Sequence, residues 1–365
     1  KNGVFILLTN DELFFLYLNN TPKMYPRRFN AAYFKFRTRE AYVEHIKTCS
    51  ENCLSETEKE EIISGCWKIK VRSLIDYMDK AGIHAVFYDD EKYPQMLRDI
   101  DNPPAMLYYI GDISLCSENS VAVVGSRHAT GYGADVTDYF VREFVSADLT
   151  VISGMAEGID ACAHRCTVKY SGKTIAVLGS GIDRIYPMIN EDIYRELCVS
   201  GLVLSEYPIS SKPQKSNFPE RNRLIIGLAK CLLVVEAGVK SGTMITVDFA
   251  LEQGKNVYAV PGSIFSFSGK GVNQLIKSGC AVATEPEDIL QEFGVYINKQ
   301  KEVKQTALTG LDKQICDLLA REDCPFHVLQ EKIKCDAGEL GEALMMLEIS
   351  GHINQGPGRI YSLKR

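Results

Sequence analysis

The sequence lacks several features that would assign it to a familiar functional class. It has 12 cysteines but no pair in the CxxC spacing, which is typical of zinc and redox sites. No stretch approaches the roughly 18 apolar residues of a membrane-spanning helix. The apolar run at 4–8 is followed directly by the polar residues 9–12. We therefore expect a cytoplasmic protein with reduced, mostly buried thiols and no membrane partner. Because the chain begins with Lys1 rather than Met, we expect its natural start to lie upstream.

A surplus of positive charge is also missing. The 365 residues include 41 Lys and Arg against 47 Asp and Glu, for a formal net charge of -6 at pH 7. No overall field therefore draws the molecule onto nucleic acid, and any binding of anions must be local. With 45% hydrophobic and 24% charged residues, the composition is that of a globular protein long enough for two or three domains.

Complete nucleotide-binding motifs are absent as well. The stretches "GYGADV" at 131–136 and "GSGIDR" at 179–184 begin as GxG but have no third glycine, and no acidic residue is clearly placed to hold a ribose. The segment "GSIFSFSGKG" at 262–271 has the wrong spacing for a phosphate-binding P-loop and ends in glycine rather than Ser or Thr. We therefore expect no nucleotide cofactor.

One short segment invites a metal interpretation. In "CAHRC" at 162–166, the two cysteines are four residues apart with His164 between them. On a helix Cys162 and Cys166 share a face while His164 points elsewhere, so we expect no metal site here.

What is present is an alternation of short apolar runs and helix-like segments between 119 and 285. The runs are continuous and rich in β-branched residues, which is typical of parallel strands buried on both faces. They predict a doubly wound α/β domain, whose ligands bind at the carboxyl ends of the strands. The runs are "VAVVG", "TVISG", "TIAVLG", "LVLSEYP", "CLLVVEAG" and "NVYAVPG".

The flanking regions have other patterns. The N-terminal part is predicted to be mainly helical, and the C-terminal part to contain three amphipathic helices and a strand pair around "GPG", which is a winged-helix arrangement. No Lys or Arg occurs from 336 to 358, so its third helix should be repelled by duplex DNA, and we predict a protein-contact or packing module. The predicted domains are 1–85, 86–295 and 309–365, with a linker at 296–308.

Small and polar residues gather where the predicted strands end. A glycine-permissive loop before a helix offers backbone N–H groups to an anion, and an arginine there can hold phosphate in a bidentate manner. The sequence therefore predicts an anion-lined cleft. Its candidate residues are Gly125, Ser126, Arg127, Ser153, Gly154, Ser241, Gly242 and Thr243, with Gly179, Ser180 and Gly181 at a further strand end.

A basic stretch with an aromatic residue lies at 211–230, "SKPQKSNFPERNRLIIGLAK". Cations that follow a phosphate backbone and a ring on which a base stacks are typical of single-strand binding. The alternative stays open that the ring is a core residue and that the arginines pair with Glu206, Glu220 or Glu236. The residues of this predicted strip are Lys215, Phe218, Arg221, Asn222 and Arg223.

The order and spacing of several motifs resemble the DNA-processing protein A family, also called DprA or Smf. The resemblance covers about 90 to 290 and is weaker on either side. It is carried by "AVVGSR", "SGMAEGIDACAH", "TIAVLGSGIDRIYP", "SEYP", "NFPERNRLIIGLA", "VVEAGVKSGTMIT", "ALEQGKNVYAVPG" and "GVNQLIKSGC".

This resemblance implies a Rossmann-like fold and a protein that is not an enzyme. It implies binding of incoming single-stranded DNA during natural transformation, protection of that DNA and loading of the RecA recombinase onto it. RecA, single-strand-binding protein and a second copy of the chain are the implied protein partners, with no cofactor. The cleft and strip residues named above are the implied DNA contacts. Glu157 departs from the pattern, because a basic residue is frequent there in relatives, and the N-terminal domain lacks the family's usual signature.

Two rival functions stay open. Phosphoribohydrolases that resemble this domain carry a "PGGxGTxxE" pattern with a catalytic glutamate. Here the region reads "EAGVKSGTMITVD", so that Glu236 precedes the loop and Thr246 and Val247 stand where the acid is expected. A nucleotide-processing enzyme is therefore disfavoured. A scaffold without DNA binding is disfavoured by the presence of Arg127, Arg221 and Arg223.

Overall fold

The computed structural model describes residues 8–48, 54–117, 119–296, 310–356 and 358–363. Residues 297–308 of the predicted linker lie outside the described residues, as do two of the 12 cysteines, Cys49 and Cys53. The chain divides into two compact units, Lys1–Tyr296 and Ile297–Arg365, which are described separately below. In the part of the chain that is described, no helix is long and apolar enough to cross a membrane.

The first unit begins with five helices, as the sequence predicts. Two of them start with capping boxes, in which Thr9 and Ser55 each exchange hydrogen bonds with a glutamate three residues on. Their packing centres on aromatic rings, with Phe14 edge-on to Trp67 at 5.4 Å between ring centroids. The helices are α1 Asn10–Asn19, α2 Pro26–Phe36, α3 Arg39–Thr48, α4 Glu56–Ser64 and α5 Trp67–Ala81.

A sheet of nine strands, counted over the described residues, follows the helices. All six predicted strands form, as β3 to β8, and they pair in parallel. Three further strands, at the two ends of the sheet, were not predicted. The strands are β1 His84–Phe87, β2 Met106–Gly111, β3 Ser120–Val124, β4 Thr150–Ser153, β5 Thr174–Leu178, β6 Leu202–Ser205, β7 Cys231–Val234, β8 Asn256–Ala259 and β9 Ala281–Val282.

The strand order is β1-β2-β6-β5-β4-β3-β7-β8-β9, with β1 and β2 antiparallel to their neighbours. From β3 the chain runs outward through β4, β5 and β6, then returns to add β7 on the other side. The order therefore reverses between β3 and β7. In an open α/β sheet, the crevice at such a reversal is where ligands bind.

Helices cover both faces of the sheet, and a separate apolar core lies on each face. The mainly parallel, doubly wound α/β fold that the sequence predicts is thus confirmed. The helices of this part are α6 Gly131–Ser146, α7 Ile159–Lys169, α8 Glu191–Ser200, α9 Asn217–Leu228, α10 Gly242–Glu252, α11 Phe267–Lys277 and α12 Glu287–Leu290.

The N-terminal helices pack directly on the sheet. Apolar residues from Phe14 to Val203 belong to one continuous core. Buried hydrogen bonds cross the same contact: Asn30 Nδ2 donates to Glu206 Oε1 at 3.0 Å, and Ala105 N donates to Asn30 Oδ1 at 2.9 Å. The boundary predicted after residue 85 falls at β1, but the two sides share a core and are fixed to each other.

The second unit has the predicted winged-helix arrangement of three helices and a small sheet. Its apolar core includes Ile315, Leu329 and Leu340. On the third helix, Met345, Met346 and Ile349 are exposed. The elements are α13 Leu311–Leu319, β10 Cys324–Pro325, α14 Phe326–Ile333, α15 Ala337–Ile349, β11 Ile353–Gly356 and β12 Ile360–Leu363.

Candidate functional site

The crevice between β3 and β7 is lined by two glycine-containing loops. Gly125, Ser126 and Arg127 follow β3, Ser241 precedes α10, and Gly242 is the first residue of α10. Thr243, in the first turn of α10, donates a hydrogen bond from Oγ1 to the carbonyl of Gly125 at 3.0 Å. The structure therefore brings the first and last of the predicted strand-end loops together at the point where the strand order reverses.

The loop after β3 is fixed on its inner side. Ile159 N donates to the Ser126 carbonyl at 3.1 Å, and His128 N donates to Ser126 Oγ at 3.1 Å. Gly158 makes this approach possible, because its φ is +77° and a Cβ there would lie 2.2 Å from the Ser126 carbonyl oxygen. The backbone of this loop is thus held against the protein at Ser126, while the Arg127 side chain remains exposed.

Arg127 extends over an aromatic pair at the edge of the crevice. Its guanidinium carbon lies 5.7 Å from the centroid of the Phe218 ring, and that ring lies 5.4 Å from the Tyr186 ring at an angle of 35°. Phe218 is partly exposed, and Tyr186 is 45% exposed. A cation and two neighbouring rings therefore share one accessible surface, which we call the Arg127–Phe218–Tyr186 group.

Glycine also makes the position of Phe218 possible. A Cβ at Gly179 would lie 2.8 Å from Phe218 Cδ1, so the ring packs against bare backbone. The amide of Asn217 donates to the Gly179 carbonyl at 3.0 Å, which fixes the start of α9 to the end of β5. Sequence reasoning identified Phe218 but missed Tyr186, an aromatic residue in the same loop region after β5 that could have been noticed.

Arg221 points into the protein and is only 4% exposed. Its Nη1 donates to the carbonyls of Gly154, at 2.8 Å, and Val177. These carbonyls lie where β4 and β5 end, so the guanidinium connects the ends of two neighbouring strands. Burial lowers the pKa of Arg221 to about 10. Ser153 is also buried and donates to the Val123 carbonyl at 2.7 Å.

The buried charge of Arg221 faces the carboxylate of Asp160. Asp160 Oδ2 accepts a hydrogen bond from Gly154 N at 3.0 Å. Burial raises the pKa of Asp160, while Arg221 and the backbone N–H groups act in the opposite direction. Gly154 leaves room for this pair, since a Cβ would lie 2.6 Å from Arg221 Nη2. Asp160 had not been recognised from the sequence.

Arg223 is buried as well and forms an ion pair with Glu206, with 2.5 Å between Nη2 and Oε2. Of the alternatives left open by the sequence, pairing of this arginine with Glu206 is therefore confirmed. The structure places Arg221 and Arg223 on the inner side of α9, which packs on the sheet, so these two arginines do not share the exposed surface of Arg127 and Phe218. Any contact of these two with DNA stays a prediction.

The other strip residues have separate environments. Lys215 is exposed in the loop before α9. Asn222 is partly exposed and donates from Nδ2 to Thr246 Oγ1 at 2.9 Å, on the neighbouring helix α10. The crevice thus gathers the β3 loop, Phe218 and the start of α10, whereas Ser153, Gly154, Arg221 and Arg223 form its buried support.

The starts of α6 and α10 differ in their polar partners. At α6, Glu236 Oε2 accepts a hydrogen bond from Thr130 N at 3.0 Å, and Gly133 leaves room for the carboxylate. A protein carboxylate thus occupies the end of α6 where an anion would bind. At α10, Ser241 forms no side-chain cap, and its buried Oγ has no hydrogen-bond partner among the described residues. The start of α10 is therefore the more suitable anion site.

The "CAHRC" segment has a structural role in this part of the molecule. His164 is fully buried, with its Nδ1 at 2.7 Å from Thr174 Oγ1. Burial lowers the pKa of His164 to about 3 and raises that of Cys166 to about 12. Among the residues that the structure describes, no group of three or more His, Cys, Asp or Glu residues could hold a metal ion.

These features define an α/β protein of the Rossmann-like class, with a crevice at the reversal of strand order and a cation–aromatic group at its edge. Residues 84–294 match the family described as DNA recombination-mediator protein A, and residues 299–359 match the DprA winged helix domain. The chain belongs to the DNA recombination-mediator protein A family, known as DprA or Smf.

Sequence relatives support this assignment over much of the chain. The chain is 33% identical to protein Smf of Escherichia coli over 304 residues, which is 81% of this chain and 81% of that protein. It is 38% identical to protein Smf of Synechocystis over 231 residues, or 62% of this chain and 58% of that protein. The latter alignment therefore leaves a large part of the relative unmatched.

Solved structures agree with the fold. DNA processing protein A of Streptococcus pneumoniae has a TM-score of 0.60 and 32% identity, covering 79% of this chain and 99% of that one. DNA processing protein A of Helicobacter pylori, in a structure described as giving insight into its single-stranded DNA binding mode, has a TM-score of 0.52 and 28% identity, covering 58% of this chain and 95% of that one.

Proposed function

We propose that this chain binds single-stranded DNA at the crevice between β3 and β7 and performs no catalysis. The observation that carries the proposal is the Arg127–Phe218–Tyr186 group. A guanidinium can hold a phosphate while the neighbouring rings stack against bases, and both interactions are independent of base sequence. In a duplex the base faces are covered by their neighbours, so these rings favour a single strand.

The relatives support the same ligand and a wider role. The Helicobacter pylori protein binds single-stranded DNA according to the description of its structure, and similar proteins of other bacteria are named DNA processing proteins. We infer a role in DNA processing during transformation, in which this chain protects the incoming strand and assists the loading of RecA. Single-strand-binding protein is a further candidate partner in that process.

A nucleotide-processing enzyme is the rival, and Glu236 argues against it. This carboxylate accepts hydrogen bonds from Thr130 N, Thr130 Oγ1 and Ser268 Oγ. It is 4% exposed. A general base must reach the proton that it removes from substrate or water, and Glu236 is instead held against α6. The same side chain also occupies the start of α6, one of the two helix ends in the crevice where a nucleotide phosphate would otherwise bind.

A second copy of the chain is the protein partner that the surface of the first unit favours. In the loop that leads into α11, Ile264, Phe265 and Phe267 are 69%, 90% and 78% exposed. Exposed apolar groups of this kind are typical of protein interfaces. We propose that this loop contributes to a homodimer. Replacing Phe265 by Ser should reduce dimerisation in sedimentation experiments, and an unchanged dimer would remove the loop from the interface.

The experiment that tests the proposed ligand is fluorescence anisotropy of a labelled oligo-dT, with and without its complementary strand, over a salt series. We expect the wild type to prefer the single strand and Arg127→Ala to weaken binding, with a salt slope smaller by about 0.7 for one lost phosphate contact. Arg195→Ala is the matched control, because Arg195 is exposed on α8 and pairs with Glu191. Absence of binding at low salt, or equal affinity of Arg127→Ala, would overturn the proposal.

A further inference from the structure

An acid-free stretch lies in the N-terminal helices. Residues 13–39 contain six Lys and Arg residues and no Asp or Glu, in a chain whose formal net charge is -6. The stretch lies outside residues 84–294, which match the DNA recombination-mediator protein A family. Neither the family match nor the proposed crevice accounts for this local charge.

The stretch combines exposed cations with an exposed ring where α2 begins. Tyr25, which precedes the first turn, is 57% exposed. The Arg27 side chain is 74% exposed, and Lys23 and Arg28 are exposed beside it. Arg28 Nη1 donates to the Lys23 carbonyl at 3.3 Å, which holds these two cations close together. We call Lys23, Tyr25, Arg27 and Arg28 the α2 surface.

The α2 surface adjoins the proposed crevice. Arg27 Nη2 lies 3.0 Å from Oε1 of Glu220, two residues after Phe218 in the first turn of α9. In addition, Ile209 N donates to Asn20 Oδ1 at 3.0 Å, which attaches the end of α1 to the loop that carries Lys215. Arg27 therefore neutralises Glu220, which follows Phe218 by two residues. It also extends the positive surface from the crevice to α2.

Buried contacts keep the α2 surface in this position. Asn30 of α2 donates to Glu206, and Glu206 pairs with Arg223 of α9. The two helices are thus connected through one buried network. A surface that is already in place when a ligand arrives binds with a smaller ordering cost than one that must assemble.

An open cavity of about 380 Å³ adjoins the α2 surface at Arg27 and is also lined by Phe34, Arg37 and Tyr88, among others. The Arg37 guanidinium carbon lies 4.9 Å from the centroid of the Phe34 ring and 5.7 Å from that of Tyr88. The cavity thus combines aromatic side chains with guanidinium groups at its wall, as single-strand binding surfaces do.

We propose that the α2 surface is a second binding surface for single-stranded DNA, which holds the part of the strand that leaves the crevice past Phe218. Arg27 and Arg28 bind phosphates, and Tyr25 stacks against a base. The inference rests on the proposed function, because it extends the same ligand beyond the crevice. Its consequence is that affinity depends on strand length: a short oligonucleotide reaches only the crevice, and a longer one reaches both surfaces.

The test uses the full chain and labelled oligo-dT of two lengths, about 6 and about 20 nucleotides, which bracket common single-strand site sizes. We expect Tyr25→Ala with Arg28→Ala, which keeps the Arg27–Glu220 ion pair, to leave the affinity for the short oligomer unchanged. The affinity of this variant for the long oligomer should fall at least about tenfold, and the salt slope by about 0.7 for one lost phosphate contact. Arg28→Ala alone should lower the long-oligomer slope by the same amount with a smaller loss of affinity, because the Tyr25 ring still stacks.

The control variant is Lys47→Ala with Lys68→Ala, which removes two exposed cations from α3 and α5 of the same helical part. It should bind both oligomers as the wild type does. Equal long-oligomer affinity of Tyr25→Ala with Arg28→Ala and of the wild type would overturn the α2 surface while leaving the crevice intact. An equal loss for both lengths would also overturn it. If the wild type binds neither oligomer, the proposed function itself fails.

Discussion

The arginines around the crevice form two groups with opposite orientations. Arg127 is exposed and lies over Phe218, whereas Arg221 and Arg223 are buried and engage internal acceptors and carboxylates. The guanidinium of Arg127, on the outer side, remains available for a ligand. The guanidinium groups of Arg221 and Arg223, on the inner side, are partners of buried polar groups of the protein. The number of basic residues in a segment therefore does not measure the charge that it presents.

We expect the largest effect from a substitution in the inner group, Arg221 and Arg223. Arg221→Met should lower the free energy of unfolding by about 3–5 kcal/mol, because it leaves Asp160 buried without its charge partner. Urea unfolding of the full chain measures this change. The double variant with Asp160→Asn should recover part of the lost stability, since the amide oxygen can still accept from Gly154 N. Wild-type stability of Arg221→Met would contradict the inner role.

A second test of the inner group varies pH. Burial holds the pKa of His164 at about 3 instead of 6.5, so between these values the unfolded chain binds a proton that the native protein excludes. The His164 contribution to stability is therefore complete above pH 6.5 and decreases as pH falls, by up to about 1.4 kcal/mol per unit.

Urea unfolding between pH 5 and pH 7 checks this sign. The variant His164→Asn should lose less stability than the wild type over that interval, whatever its stability at pH 7. The difference in slope isolates His164 from the carboxylates, which titrate in both proteins. Equal slopes for the two proteins would show that His164 is not held neutral.

The outer group is tested by removing the Phe218 ring, over which Arg127 lies. Phe218→Ala should weaken binding of oligo-dT by about 1–3 kcal/mol and leave the salt slope nearly unchanged, because stacking involves no release of counterions. Fluorescence anisotropy over a salt series measures both quantities. Phe218→Tyr is the control and should retain most of the affinity. A changed slope with preserved affinity would mean that the ring does not stack against a base.

The smallest expected effect concerns the second unit, where α15 carries Glu339, Glu342 and Glu348. Its acidic surface should repel a duplex, so titration of duplex DNA into segment 305–365 should give no measurable binding. Anisotropy at low salt is the most demanding test, because electrostatic binding to DNA is strongest there. Tight, salt-sensitive binding there would contradict the prediction of a protein-contact or packing module.

The sequence predicted the sheet because its strands are short, continuous apolar runs with clear ends, and those signals are local. It predicted Arg127 and Phe218 for the same reason: each stands beside glycine or at a helix start. It missed β1 and β2, which are buried over only part of their length and pair in antiparallel. It also missed β9, which has only two residues, both exposed. It could not orient Arg221 and Arg223, since their direction depends on how α9 lies over the ends of β4 and β5.

Residue pairs that join distant parts of the chain also could not be predicted from the sequence. Asp160 becomes a partner of Arg221 only when α7 and α9 meet, and Asn30 reaches Glu206 across 176 residues. The alternative that Arg223 pairs with Glu206 was available from charge alone, but nothing local distinguished it from pairing with Glu220 or Glu236. Contacts of this kind are fixed by topology, and topology was predicted only in outline.

Glu236 also bears on which ligands can compete for the crevice. Its carboxylate is attached to the protein at the start of α6, so it acts as a tethered competitor whose effective concentration is on the order of millimolar or higher. A free mononucleotide, which offers one phosphate, would have to displace it from α6 or bind at the start of α10 alone. A strand carries many phosphates and can bind elsewhere along the crevice, so the internal carboxylate selects for polymers over monomers.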